Sequence, residues 1–389
     1  MPRKPDVSSA QATVRAAQAF NRRLMLKRGL GLAGLVGVAP WVAREALSSS
    51  GQLSILHWPD EIPKPIVPEF EKKTGIKVNA TPFAQNEELI NKLQATGGEG
   101  FDLCMPSRSL APQYRDLEVL APWDTSNLHL DRLLPSMLEL STSIWTWDGK
   151  LYHVPHCWGA EAVAWRTDVT TIAYKDLSYG TLWEDRFKGK LQGRPWSLLL
   201  TIGLWWDRSG KLPSNRMFDT FKDPASFKAV YDKILPFAIA HKPWIKQFWD
   251  NADSTASGFM ENGCVIGETW DGPLLRLKKQ GKPVTFMAPQ EGAITWMDGW
   301  SLTKAAKNVA QAYEWINYVH TPEVSAMASN ASSYNPVVKG AESLLSPEQK
   351  KNYEEAYPDD ALTKVWTAMP AQPWYLDLRA QYADKFKAA

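Results

Sequence analysis

Three tryptophan–acid pairs are the residues in this chain best suited to recognition chemistry. Trp58 is followed by Asp60 and Glu61, Trp270 adjoins Asp271, and Trp296 stands two before Asp298. An indole face attracts a cation through its ring quadrupole, by about 0.5–2 kcal/mol depending on desolvation, and a carboxylate adds a charge-assisted hydrogen bond. Such a set suits an organic amine. Any one pair also fits a core tryptophan beside a turn or helix-capping acid, since Asp271 precedes Gly272-Pro273 and Asp298 precedes Gly299. Three pairs, each where a strand is expected to end, favour the cage. Catalytic signatures are missing: the chain has no Gly-x-Ser-x-Gly elbow, HExxH or GxxxxGK[ST]. His153, His156 and Cys157 lie close in sequence, but the run YHVPHC contains a proline and reads as extended, so the side chains should diverge rather than ligate a metal. No metal or cofactor is expected.

The elements that must hold these residues alternate. QLSILHW reads as a strand, IVPEFEKKTG as a helix stopped by Gly75, IKVNATPF as a strand, NEELINKLQATGG as a helix ending in glycines, and FDLCMPS as a strand running into a turn. AEAVAWRTD and GCVIGETWDG read as further strands. DPASFKAVYDKILPFAIAH, GPLLRLKKQG, AAKNVAQAYEWINYVHTPEVSAMAS and the carboxyl-terminal PWYLDLRAQYADKFKAA read as helical. Repeated β-α-β units imply an α/β fold with a mainly parallel sheet and ligands beyond the carboxyl ends of the strands, where Trp58, Asp60 and Ser107 fall.

The chain has 389 residues, 44% hydrophobic and 22% charged, enough for one large or two ordinary domains. Disordered and fibrous classes are excluded. The net charge of +2 is misleading, because the first 46 residues hold eight basic residues against Asp6 and Glu45 and leave a mildly acidic body. That balance argues against nucleic acid and accommodates a cationic ligand. Three scattered cysteines make neither a disulfide scaffold nor a zinc site. The basic leader reads NRRLMLK followed by LGLAGLVGVAPWVA, the plan of an export signal. It is similar to the bacterial twin-arginine signal, with Arg22, Arg23, Leu26 and Lys27 matching and Asn21 and Met25 departing. The apolar stretch contains Pro40 and falls short of the about 20 residues that span a bilayer. Gly29-x-Gly31-x-x-Gly34 fits the dinucleotide fingerprint only formally, as no strand precedes it.

From about Leu53 to Lys387 the chain resembles the periplasmic spermidine/putrescine-binding proteins of ABC transporters. The resemblance rests on the opening strand-Trp-x-acid with EFEKKTGIKV, then FDLCMPS, HVPHCWGAEAVAW, FMENGCVIGETWDG, EGAITWMDGWSLTKAAKN and SYNPVV. It implies a two-lobed periplasmic-binding-protein fold of type II, each lobe a mainly parallel sheet flanked by helices, with the ligand cleft between lobes. Residues 1–50 would be the leader, 51–156 with 297–342 one lobe, and 157–296 with 343–389 the other. It also implies a binding protein rather than an enzyme: a monomer that captures a small amine by hinge closure and docks on inner-membrane permease subunits. A sensory binding protein would look the same, and a cleft hydrolase lacks any nucleophile–base pairing. Carried over by motif, Trp58, Asp60, Ser107, Trp270, Trp296, Asp298 and Tyr334 would contact ligand. The departures bear on specificity. RPWSLLLTIGLWWDR replaces a segment that carries a second acidic pair in the family, with only Asp207 near. Arg108 follows Ser107, Glu61 replaces an aromatic, and Met369 stands for a glutamine. These suggest a ligand with one amine, held by Asp298 and Asp60, and a carboxylate or polar end met by Arg108, as in an amino-acid-like or opine-like zwitterion.

Overall fold

The computed structural model describes residues 51–389. The leader, and with it the export-signal reading, lies outside the described residues.

The first strand, β1 (Gln52–His57), pairs in parallel with β2 (Lys77–Pro82) on one side and β3 (Leu103–Cys104) on the other. The connecting helices Ile66–Thr74 and Asn86–Thr96 each end on a glycine in the left-handed region, Gly75 at φ 75° and Gly97 at φ 62°. Those are the stops read from the sequence, since only glycine meets no Cβ penalty there. β4 (Leu120–Ala121) is short, and β5 (Thr146–Trp147) with β6 (Lys150–Leu151) forms a separate hairpin. β7 (Val154–Arg166) is buried along its whole length except Arg166, as a near-continuous apolar run predicts for a strand covered on both faces.

The second group contains β8 (Leu191–Gly193), β9 (Ile245–Phe248), β10 (Ile266–Trp270) and β11 (Val284–Met287). β12 (Ile294–Thr303), β13 (Asn335–Pro336) and β14 (Trp366–Thr367) complete the set. Twelve strands join in the order β2-β1-β3-β12-β7-β10-β8-β9, with β11 and β13 also on β7 and β4 and β14 on β12. The parallel expectation holds for the outer strands β1–β3 and β8–β10. β7 and β12 run antiparallel to most of their neighbours, because they carry the chain from one group to the other. β12 serves both: Ile294–Trp300 pairs with β7, whereas Ser301–Thr303 pairs with β3 and β4.

Two apolar cores follow from this plan. One gathers Leu56, Phe70, Trp300 and Trp315 and extends beneath β11 to Phe286. The other gathers Leu199, Phe227 and Tyr382, where the helices Pro195–Arg208, Pro224–His241 and Pro373–Ala388 pack on one another. The helix Pro195–Arg208, apolar nearly all round, begins on a proline at its first turn and is buried on most sides, as such a composition requires. Among the described residues no helix is long and apolar enough to cross a membrane.

Candidate functional site

A cleft of about 760 Å³ opens where β7 and β12 cross between the strand groups. At one end lies a carboxyl pair. Beyond β1 the chain makes a tight turn in which the Glu61 N–H donates to the Trp58 carbonyl at 3.2 Å. The turn leaves Trp58 against Phe83, ring centroids 4.5 Å apart, and folds Glu61 inward until 4% of it is exposed. From the other side comes β12, on which Trp296 and Asp298 share a face because side chains alternate. A β-bulge at Asp298/Gly299 shifts the register against β7, setting Cys157 opposite Asp298. Gly159 on β7 lets the Trp296 ring lie flat across the strand, since a Cβ there would come within 2.3 Å of it. Asp298 is 5% exposed and hydrogen-bonds both Ser107 and Glu61.

Two carboxyl groups can hydrogen-bond only if one keeps its proton. Burial, then the neighbouring Asp298 charge, push Glu61 well above the usual carboxylate range, and burial lifts Asp298 to about 6. The Cys157 thiol donates to Glu61 Oε2 at 3.2 Å and is itself pushed up by burial, so it stays a neutral donor. Among the described residues neither Glu61 nor Asp298 forms a salt bridge. A buried, uncompensated acid pair walled by indoles exchanges its shared proton favourably for an ammonium ion.

The other sequence candidates divide. Asp60 lines the cleft but pairs with Arg276 at 2.7 Å, and Arg276 also holds the Ser332 carbonyl at 2.8 Å. Glu61 rather than Asp60 is therefore the partner of Asp298. Tyr334 crosses the Trp296 ring edge-on at 4.8 Å. Asp271 does not reach the cleft wall. It is fully buried at the start of the helix Asp271–Lys279, where Oδ1 accepts from the Gly272 N–H and Oδ2 from the Tyr357 hydroxyl. Asp271 thus stands in the first turn of its helix with both oxygens used locally, although the N-cap position belongs to Trp270 and no side-chain cap forms there. Arg108 is buried at the cleft wall, with Nε and Nη1 donating to the Leu140 and Ala368 carbonyls. Asp207 turns away and accepts from Ser214, while Met369 does line the cleft. His153 and His156 separate as expected of extended chain: His153 bonds Ser141 and the Pro106 carbonyl, His156 the Glu61 carbonyl. Instead His156 and Cys157 converge with Glu61, their donor atoms within 4.8 Å of one another. With the thiol neutral and bonded to Glu61, this set works as a hydrogen-bonded support for that carboxyl.

The opposite end of the cleft holds a group that the sequence motifs did not single out. Arg194, at the start of the helix Pro195–Arg208, pairs with Glu161 of β7, which also accepts from the Trp270 indole at 3.0 Å and from the Ser197 hydroxyl. The guanidinium carbon lies 4.4 Å from the Trp196 ring centroid, 4.8 Å from Trp249 and 5.0 Å from Trp270. Each such face contributes about 0.5–2 kcal/mol. Trp270 thus faces Arg194 rather than joining Asp298. One signal was available: Glu161 is a lone acid inside the apolar run GAEAVAW, and a buried carboxylate needs a cation.

Comparison with known proteins is consistent over most of the chain. A family model described as bacterial extracellular solute-binding protein matches residues 66–358. The spermidine/putrescine-binding periplasmic protein of Escherichia coli K12 is 28% identical over 308 residues, covering 79% of this chain and 83% of that protein. A putrescine-binding periplasmic protein from the same strain is 29% identical over 378 residues, covering 92% and 97%. Among solved structures, a putative spermidine/putrescine ABC transporter protein from Listeria monocytogenes superposes with a TM-score of 0.71 at 24% identity, over 87% of this chain and 99% of that one.

Proposed function

The chain belongs to the bacterial extracellular solute-binding proteins, and from that premise we propose that it captures a small organic amine, of the polyamine class or close to it, for an ABC permease. Its relatives named above are periplasmic binding proteins of spermidine and putrescine, which supports placement in the periplasm; the Arg22-Arg23 pattern of the leader is what supports export by the twin-arginine route. The observation that carries the reading is the buried Glu61–Asp298 carboxyl pair, uncompensated by any salt bridge among the described residues and walled by Trp58 and Trp296. An ammonium ion supplies the missing positive charge, and the indole faces shed water around it. Trp58, Glu61, Ser107, Trp296, Asp298 and Tyr334 form the amine end. Asp60 tunes it through Arg276.

The lobes divide as 51–156 with 297–342 and 157–296 with 343–389. Both 156/157 and 296/297 fall inside the long strands β7 and β12, where a few residues can act as a hinge. Ligand that touches both sides favours the closed form by its differential affinity, and binding needs no chemical step. The closed monomer then docks on the permease subunits. The test is calorimetric titration of the purified protein with butylamine, putrescine and spermidine against neutral butanol. Saturable binding of at least one amine, with butanol silent, is expected. Silence for every amine would reject the reading.

A further inference from the structure

The two ends of the cleft have opposite needs. At one, Glu61 and Asp298 lack a cation; at the other, an aromatic–carboxylate cage already contains one, the guanidinium of Arg194 over Trp196, Trp249 and Trp270 with Glu161 as its counter-ion. Carboxylate plus indole faces is the same chemistry that receives an ammonium at the first end. We infer that Arg194 is a built-in occupant of a second amine-type subsite, and that it restricts the cleft to ligands with one ammonium group and a hydrogen-bond-accepting far end such as a carboxylate. This rests on the amine reading above and narrows its ligand class.

The donor inventory of Arg194 supports the second half. Its N–H donates to Glu268 at 3.0 Å, Nε to the Ser197 hydroxyl at 3.3 Å, and Nη2 to Glu161. Nη1 has no hydrogen-bond partner among the described residues, and the side chain keeps 20% exposure where it lines the cleft. A guanidinium presents five N–H donors and no acceptor. A ligand carboxylate or carbonyl satisfies the remaining ones, whereas a second ammonium meets the like charge of a guanidinium that already occupies Glu161. Arg379 also lies over the Trp196 ring, 4.4 Å from its centroid, and its own acid, Glu87, is 3.7 Å away at the cleft rim. A diamine reaching this end therefore faces two guanidinium groups.

The test is calorimetric titration with matched pairs of ω-amino acid and α,ω-diamine, three to six methylenes long, plus butylamine. Wild type and Arg194→Met are compared; methionine keeps the apolar stem and leaves Glu161 and the three indoles for a second ammonium. In the wild type the best amino acid should bind at least about tenfold more tightly than the diamine of the same length. In Arg194→Met the preference should reverse, with the diamine gaining about tenfold or more. A wild-type protein that prefers diamines overturns the inference and leaves the amine reading standing, as does a variant with an unchanged ratio. Failure of every amine, butylamine included, removes the amine reading itself. Should the variant not fold, the wild-type ratio decides alone.

Discussion

Asp298→Asn isolates the carboxyl pair. The substitution keeps the side-chain shape at the β12 bulge and removes one of two buried charges that would face an ammonium ion. Truncating one partner of a buried, hydrogen-bonded charge pair costs about 2–5 kcal/mol. Glu61 remains, and it ionises more readily once the Asp298 charge and hydrogen bond no longer raise it. The loss should therefore lie at the low end, about 2–3 kcal/mol or roughly 30–150-fold in amine affinity. Wild-type binding must also release a proton, because the pair holds one: Asp298 is lifted to about 6 and Glu61 well above its usual range. Affinity should rise with pH through that interval and level off once both groups are ionised. In Asp298→Asn the rise moves to lower pH and proton release near neutrality shrinks. Calorimetry in buffers of different ionisation heat, from pH 5 to 9, measures affinity and proton count together. A folded variant that binds amines within about threefold of wild type across this range would refute the argument. Stability supplies the control. The folded-state value for Asp298 is raised from 3.8 to about 6, so its contribution is present below the unfolded value and lost as pH rises through the folded one. The neutral variant should be at least as stable as wild type at pH 8, separating lost binding from lost fold.

Three further outcomes follow from the same geometry. Glu268 is fully buried with Oε1 unpartnered, and burial raises it from 4.5 to about 8; Glu268→Gln should gain urea resistance relative to wild type as pH rises from 5 to 9, and a constant difference would contradict that sign. A Cβ on Gly299 would lie 2.3 Å from the Val154 carbonyl and 2.4 Å from the His153 ring; Gly299→Ala should cost about 1–3 kcal/mol in denaturant unfolding, and a neutral result would mean that the crossing strands yield freely. Small-angle scattering should show a smaller radius of gyration at ligand saturation, and an unchanged radius would count against hinge closure.

Much of the frame is legible because its signals are local. Gly75 and Gly97 stop helices where a left-handed residue is needed, and β7 is buried along an apolar run that His156 and Glu161 interrupt. Two of the tryptophan–acid pairs stand where strands end, Trp58 just past β1 and Trp270 at the end of β10, whereas Trp296 and Asp298 lie inside β12 because that strand runs on to Thr303; which acid meets which indole depends on distant packing. The hydrogen bond from Glu61 to the Trp58 carbonyl turns Glu61 rather than Asp60 towards Asp298, and Arg276, 216 residues away, takes Asp60. Asp271 looks like its fellows in sequence and is used up by its own helix start. Trp249 is followed by Asp250 much as Trp270 is by Asp271, a signal that the three chosen pairs left out, and it enters the cage because β9 is carried next to β8. RPWSLLLTIGLWWDR reads as a lost acidic clamp, and its first residue, Arg194, brings a cation against Glu161 and the Trp196, Trp249 and Trp270 rings.

A crystal structure with the tightest-binding amine tests the central claim most directly. The account requires the ammonium nitrogen within about 3 Å of both the Glu61 and Asp298 carboxyl groups, with the Trp58 and Trp296 rings within about 6 Å of it. An amine seated in the cleft with its nitrogen away from that pair, or bound outside the cleft, would contradict it.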